Sequence, residues 1–462
     1  MCQHAVQPAS RRRRLSIYAD GIDRHREHHM TRRILGLGLG LLCGFPVFAA
    51  DTALVGARIY PAPDAAVIER GTILVRDGRI AAVGTEAAVP VPEGAQVIDA
   101  RGQVVTAGFW NSHVHLLAPA FREDPPRPAA EVEAALQAMF TRWGFTTVFD
   151  IASFGGNAPR LRDRIDAGEV AGPDILTVDA PFFPEGGTPV YIRNLLAELG
   201  VSSGEVADAG EAAARAGRQL EAGADGVKIF AGAIVGGDVG VLPMDVEVAR
   251  AVVDAAHRAG KPAFAHPSNA AGLEVSLASG VDVLAHTTPL TGPWDETLVA
   301  RLRAGDVALT PTLTLFEVEL RKEHVPEEVL QRALANAIAQ VRAFAAAGGP
   351  VLFGTDVGYI DEVDTRREFE LMARAGMDWR EILASLTTTP AARFGQATDK
   401  GRIVAGMKAD LVILGSDPAE GATAFGDVEQ VLRSGKVVYR ADVPGSVAPL
   451  IPDPGAAPVP PG

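Results

Sequence analysis

Apolar and polar positions follow two alternating periods along most of this chain. Short apolar runs fall at residues 104–112, 146–150, 174–178, 226–230, 262–266, 282–286, 307–311 and 351–355. Between them lie stretches with apolar residues at three- and four-residue spacing, such as 131–143, 208–222, 245–259 and 327–347. Runs of the first kind fit strands covered on both faces, and the second period fits helices with one buried stripe. Eight strand-then-helix units over roughly 280 residues predict an α/β chain folded as a (β/α)8 TIM barrel. A doubly wound open sheet is the alternative, but the glycine-rich phosphate fingerprint it calls for is missing after the first strand.

The flanks read differently. Ala53–Ile59, Gly71–Arg76, Arg79–Val83 and Gln96–Asp99 look like short strands, with Asp77-Gly78 as a hairpin turn. Residues 401–414 and Val428–Tyr439, with a turn at Ser434-Gly435, are strand-like again. Neither set can bury a core alone, so residues 51–105 and 396–442 are expected to share one small β-sandwich, with the barrel at 106–395. The Pro-rich residues 443–462 lack an apolar pattern and are expected to be a disordered tail.

Candidate chemistry sits where the apolar runs stop. His113 and His115 are two apart, so on a strand their side chains point the same way and can meet one cation. His266 and His286 also close short apolar runs, and the run 350–356 ends in Asp356. The run 226–230 carries Lys228, and a lysine is rarely buried without a partner. In a barrel all of these lie at the C-terminal strand ends, where active sites are built.

These motifs identify the chain as similar to the amidohydrolase superfamily, in the branch of imidazolonepropionase and the metal-dependent Xaa-Pro dipeptidases. The resemblance runs from about Ala53 to Tyr439 and rests on Val75-Arg-Asp-Gly-Arg-Ile80, His113-x-His115, Gly226-Val-Lys228, His266, His286, Gly354-Thr-Asp356 and Gly406-Met-Lys-Ala-Asp-Leu-Val412. It implies two divalent metals, with His113, His115 and Asp356 holding the more buried one and His266 and His286 the second. Lys228 would bridge them as its carbamate, N6-carboxylysine; a plain ion pair with Asp225 or a neighbour is the other account of that lysine. A bridging hydroxide would attack an amide, peptide or cyclic amide, and Asp356 would carry its proton to the leaving amine. Imidazole and carboxylate ligands suit Zn and admit Mn, Fe or Co. Imidazolonepropionase itself lacks the lysine, so Lys228 argues against that activity.

The sequence departs from the branch at Pro267 and at Thr287-Thr288, in loops that shape the pocket, so these positions bear on the substrate rather than on the metals. Tyr191, Arg193 and Tyr359 are candidate substrate contacts, Arg193 as a fork for a substrate carboxylate. Trp110 and Thr312 also fall on or after barrel strands. His257 and His324 read as surface helical residues. A lactonase or deaminase on the same centre, or a catalytically silent scaffold, are the competing functions; the complete ligand set speaks against the scaffold.

The first fifty residues bear on targeting. Met30-Thr-Arg-Arg33, the apolar run 34–48 and Phe48-Ala-Ala50 read as a signal peptide, with 1–29 as an upstream extension and Met30 as the start. The run is short for a membrane span of roughly 20 residues. Gly36, Gly38 and Gly40 lie inside it and carry no phosphate role. Cys2 and Cys43, the two cysteines of the chain, both lie in the segment to be removed, which excludes a cysteine nucleophile and leaves no disulfide. A lipoprotein site at Cys43 would need a small residue before it, and Leu42 stands there. A periplasmic or secreted enzyme is expected, without stable membrane insertion once the leader is gone. The formal net charge of −14 argues against nucleic acid as a partner; the expected partner is a small-molecule substrate, and a homo-oligomer is allowed.

Overall fold

A computed structural model describes residues 51–122 and 125–441. The signal peptide, the upstream extension and the Pro-rich tail lie outside the described residues. The chain is α/β, as its two periods predict. Residues from both ends share one eight-stranded sheet, ordered 436–440, 428–433, 411–414, 104–107, 52–59, 68–76, 79–85, with Gln96–Asp99 also pairing with Thr52–Ile59. The join between the ends is antiparallel, with Leu411 opposite Ala107 and Leu414 opposite Val104. Leu54, Ile59, Ile73, Val105, Leu411 and Ile413 form its buried cluster. Of residues 401–414 only Leu411–Leu414 is strand; Ile403 instead donates its N–H to Pro61 and Lys408 to Asp399.

The remaining principal strands are parallel, in two sheets. Phe109–Val114, Phe145–Asp150 and Asp174–Thr177 make one, and Val227–Ile229, Ala263–Ala265, Val283–Ala285 and Ala308–Thr310 the other. Isolated parallel bridges join Phe182 to Ile229, Leu309 to Val351 and Val114 to Val357. Helices follow the strands, among them 129–139, 157–166, 209–221, 246–258, 270–279, 296–304 and 327–346. Asp208, Asp245, Asn269 and Asp295 cap four of these by accepting main-chain N–H groups of the first turn, each cap worth about 1 kcal/mol.

Two expected strands need correction. The run 104–112 is two strands, Val104–Ala107 in the mixed sheet and Phe109–Val114 in the parallel one. Gly108 separates them because the chain changes sheets there under close cover. A Cβ at Gly108 would lie 2.2 Å from Thr146 Oγ1 and 2.9 Å from Asp410 Cβ. The run 351–355 is not a regular strand; it pairs through single bonds, Leu352 N–H to Leu309 and Ser112 N–H to Phe353.

Gly108→Ala should therefore destabilise the protein by about 1–3 kcal/mol, the usual cost of overpacking a filled core. Gly217→Ala is the control: it lies in the helix 209–221 with nothing near its Cβ position and should raise stability by about 1 kcal/mol. Denaturant melts of the two variants check the opposite signs; equal shifts would contradict the crowding at the sheet change.

Candidate metal centre

Strand geometry sets the first pair of ligand types. Asn111 and His113 lie two apart on the strand Phe109–Val114, and His115 follows its last residue. The segment carrying Asp356 is zipped to that strand by main-chain bonds: Ser112 N–H to Phe353, Asp356 N–H to His113 and His115 N–H to Val357, at 2.8–2.9 Å. Asn111 completes the seam, donating to Thr355 Oγ1 at 2.8 Å. Gly358 permits the approach, for its φ is +97° and a Cβ there would sit 1.9 Å from the His115 carbonyl oxygen.

The result is a close group. Asp356 Oδ1 lies 3.2 Å from His113 Nε2 and 2.7 Å from His115 Nε2, and Asp356 Oδ2 lies 3.8 Å from His286 Nε2. His113, His115 and Asp356 are buried and offer ligand atoms within 4.8 Å of one another. The ring of His286 stands 4.5 Å from that of His113 and 4.5 Å from that of His266. His266 is stacked on Phe230 at 4.6 Å and 12°. Lys228 is 1 % exposed, on the strand Val227–Ile229. The structure thus brings His113, His115, Lys228, His266, His286 and Asp356 together.

Hydrogen bonds fix which nitrogens face the centre. His115 Nδ1 is 2.8 Å from the Ala152 carbonyl, which only accepts, so Nδ1 carries a proton and Nε2 is the nitrogen turned to the centre. Thr312 Oγ1 donates to the Pro311 carbonyl and so accepts from His286 Nδ1 at 2.7 Å, which turns His286 Nε2 inward as well. Burial pushes His113 down to about 4 and His266 and His286 well below the usual imidazole range, leaving these rings neutral. Burial opposes ionisation of Asp356 too, but the imidazoles of His113 and His115 hold its carboxyl well below the usual carboxylate range. Asp356 Oδ1 and both His113 nitrogens are buried without a hydrogen-bond partner, an arrangement that a cation satisfies.

Lys228 has no carboxylate within ion-pair distance among the described residues. Asp225, the partner considered for it, is taken by Arg162 at 2.7 Å and Lys261 at 3.3 Å. Burial lowers the Lys228 amine to about 8, against the pull of Asp356 and Asp150. Three residues at the centre adopt positive φ: His286 at 119°, Thr312 at 46° and Asp356 at 65°. Backbone strain of this kind costs on the order of 1–3 kcal/mol each.

A cavity of about 230 Å³ opens on this centre and is lined by His115, Lys228, His266, His286 and Asp356. Tyr191 and Tyr359 line it as well, with ring centroids 5.3 Å apart. Arg193 lies outside the lining: it is exposed and its Nε donates to the Thr188 carbonyl at 3.2 Å. Trp110 is buried against Phe394. His257 pairs with Asp282 at 2.9 Å and His324 is exposed. Thr287 lines the cavity and Pro267 does not.

Three residues were not anticipated from the sequence. Thr312, considered there only for substrate, orients His286. Asp150 ends the strand Phe145–Asp150 and accepts from Ser153 and Thr177 hydroxyls at 2.6 Å and from Leu116 N–H. Glu368 is 1 % exposed and accepts from Leu313 N–H, Thr314 N–H and Thr314 Oγ1 at 2.7–2.8 Å, which anchors the turn after Thr312. The strand-end position of Asp150 was a usable signal; a glutamate inside the helix Arg366–Arg374 gave none.

A family model described as "Amidohydrolase family" matches residues 104–438, and the chain belongs to that family. A dihydroorotase of Mycobacterium tuberculosis is 35 % identical over 99 residues, 21 % of each chain. An imidazolonepropionase of Symbiobacterium thermophilum is 49 % identical over 57 residues, 12 % of this chain and 13 % of that one. The chain thus aligns with at most about a fifth of these curated relatives. Among solved structures, a candidate prolidase of Bifidobacterium longum superposes with a TM-score of 0.70 at 27 % identity, over 85 % of this chain and 95 % of that one. A Xaa-Pro dipeptidase with bound methionine gives 0.73 at 23 % identity, over 85 % and 100 %, a likeness of fold.

Burial pushes the Glu368 carboxyl up to about 7, outweighing its donors. A carboxyl raised above its unfolded value contributes stability that is complete below pH about 4.5 and lost as pH rises to about 7, on the order of 3 kcal/mol. Urea melts of the protein in chelator should show wild type losing that much relative to Glu368→Gln between those pH values. A constant gap between the two would mean that the folded carboxyl ionises normally.

Proposed function

We propose that this protein is a binuclear metal-dependent hydrolase that cleaves an amide, peptide or cyclic amide C–N bond. The observation that carries the reading is the convergence of His115, His266, His286 and Asp356 at the floor of one cavity, with His113 against Asp356 behind them. Its membership of the amidohydrolase family supports a hydrolase acting on C–N bonds. Two divalent cations, Zn by the donor set, would supply a nucleophile from water near neutral pH and polarise the scissile carbonyl.

The roles of the residues follow from their chemistry. His113, His115 and Asp356 would hold one cation, His266 and His286 the other. Lys228 is the bridging candidate: its amine attacks carbon dioxide, an N–C bond forms, the nitrogen loses a proton, and an anionic carbamate with two oxygens results. Burial without an ion-pair partner favours the neutral amine that this step needs. Asp356 accepts the proton of the attacking water and returns it to the leaving nitrogen.

The same reading covers the fold and the compartment. The two parallel sheets, with their three linking bridges, are read as one closed (β/α)8 barrel with the centre at its C-terminal face. The shared sheet is read as the β-sandwich of residues 51–105 and 396–442. Export to the periplasm or beyond rests on the basic, apolar and small-residue order of 30–50; among the described residues no helix is long and apolar enough to cross a membrane.

Metal analysis of the purified protein should find close to two divalent ions per chain. Lys228→Ala should lose most of the second ion, and acetate or propionate should restore part of it by refilling the vacated space. Retention of both ions in Lys228→Ala, with only a lowered melting temperature, would remove the bridge. Asp356→Asn keeps shape but removes charge and proton acceptor, so turnover on any amide found should fall by roughly 10² to 10⁴. Activity within a factor of about three of wild type would end its assigned role.

A further inference from the structure

The walls of the cavity differ sharply from its floor. On one side stand Phe154, Phe183 and Phe230, packed in a cluster with Ile192 and Leu196. On the other, the helix Leu313–Lys322 presents Leu315, Phe316, Glu319 and Leu320. A volume of about 230 Å³ exceeds the about 150 Å³ that admits a benzene ring. Such walls gain free energy by covering apolar surface and lose it by desolvating a charge.

Charge on those walls has one sign. Apart from the candidate ligand set, which includes Lys228, Glu319 is the one charged side chain of the lining. Glu319 is held in place: Tyr359 Oη donates to its Oε2 at 2.9 Å, and Lys322 Nζ lies 3.2 Å from its Oε1. Lys322 is largely exposed, with its side chain at 63 % against 24 % for Glu319, so water screens the lysine more than the acid. Tyr359 is three residues beyond Asp356 and donates its N–H to the Asp356 carbonyl, which ties the acid to the centre's own loop. Arg193, the guanidinium that would have received a substrate carboxylate, faces away.

We infer that this site selects uncharged amides carrying a bulky apolar group, and that Glu319 is a specificity-determining residue that rejects substrates bearing a carboxylate beside the scissile bond. The inference rests on the reading of the centre as an amide hydrolase. Phe154, Phe183 and Phe230 take the apolar group, and the Glu319–Tyr359 pair faces the opposite substituent. A carboxylate placed there meets Glu319 as a like charge, whereas a carboxamide offers it N–H donors.

The test separates selectivity from turnover by measuring binding and hydrolysis on the same metal-loaded full chain. The probes are N-phenylacetyl-phenylalaninamide, its free acid N-phenylacetyl-phenylalanine, and N-acetyl-phenylalaninamide. Calorimetry on wild type, Glu319→Gln and Phe183→Ala gives Kd ratios, which do not depend on the fraction of each variant that is folded. Any attraction of the free acid to the cations is common to wild type and Glu319→Gln and cancels between them. The acid-to-amide Kd ratio is expected to fall at least fivefold in Glu319→Gln, and the preference for phenylacetyl over acetyl to fall about tenfold in Phe183→Ala. A ratio unchanged by Glu319→Gln, or a phenylacetyl preference absent from wild type, overturns the inference even where hydrolysis is found. Both ratios moving as expected while none of the amides is cleaved leaves the selectivity standing and defeats the amidase reading instead.

Discussion

Main-chain pairing between residues 112–115 and 353–357 is the constraint on which the centre depends. Hydrogen bonds between backbones are directional and short, and they fix Asp356 against His113 and His115 independently of side-chain rotamers. Asp356 is 3 % exposed, so its position is decided by what that seam permits. Of the imidazoles around it, burial pushes those of His113 and His286 toward the neutral form. Held in this way, His113, His115 and Asp356 form a candidate ligand set.

Support comes from residues that never touch the centre. The Ala152 carbonyl and the Thr312 hydroxyl each occupy the outward nitrogen of a histidine and thereby choose its tautomer. Glu368 anchors the two residues after Thr312, and Asp150 gathers Ser153, Thr177 and Leu116 beneath His115. Positive φ at His286, Thr312 and Asp356 would relax in a loosely packed loop. They persist because the surrounding bonds overdetermine them, which is the usual mark of a preorganised site.

What could be read from the sequence, and what could not, divides by distance along the chain. Ligand candidates at strand ends were legible because apolar runs show where a strand stops, and the nature of the last residue shows what is presented there. The seam at Asn111 and Thr355, the Thr312–His286 bond and the Glu368 anchor were not, because each joins segments that no local period connects. The apolar run 104–112 concealed a change of sheet, since both halves are buried and differ only in what buries them. Arg193 had the right chemistry for a substrate carboxylate, but it begins a helix whose start turns it toward solvent. Lys228 gave the clearest signal: a lysine in a buried run needs a reason, and Asp225 is not that reason.

The sheet built from both ends of the chain imposes an order on assembly. Val104–Ala107 finds its neighbour only when Leu411–Leu414 is present, and Lys400, Arg433 and Asp174 then meet in one ionic cluster. Contacts so remote in sequence raise contact order and delay the closing step of folding. During synthesis the strand Val104–Ala107 has an open edge, the kind of surface that invites pairing with other chains. Once the last strands arrive, each end of the described chain clasps the other, so neither can fray without breaking the sheet that holds both.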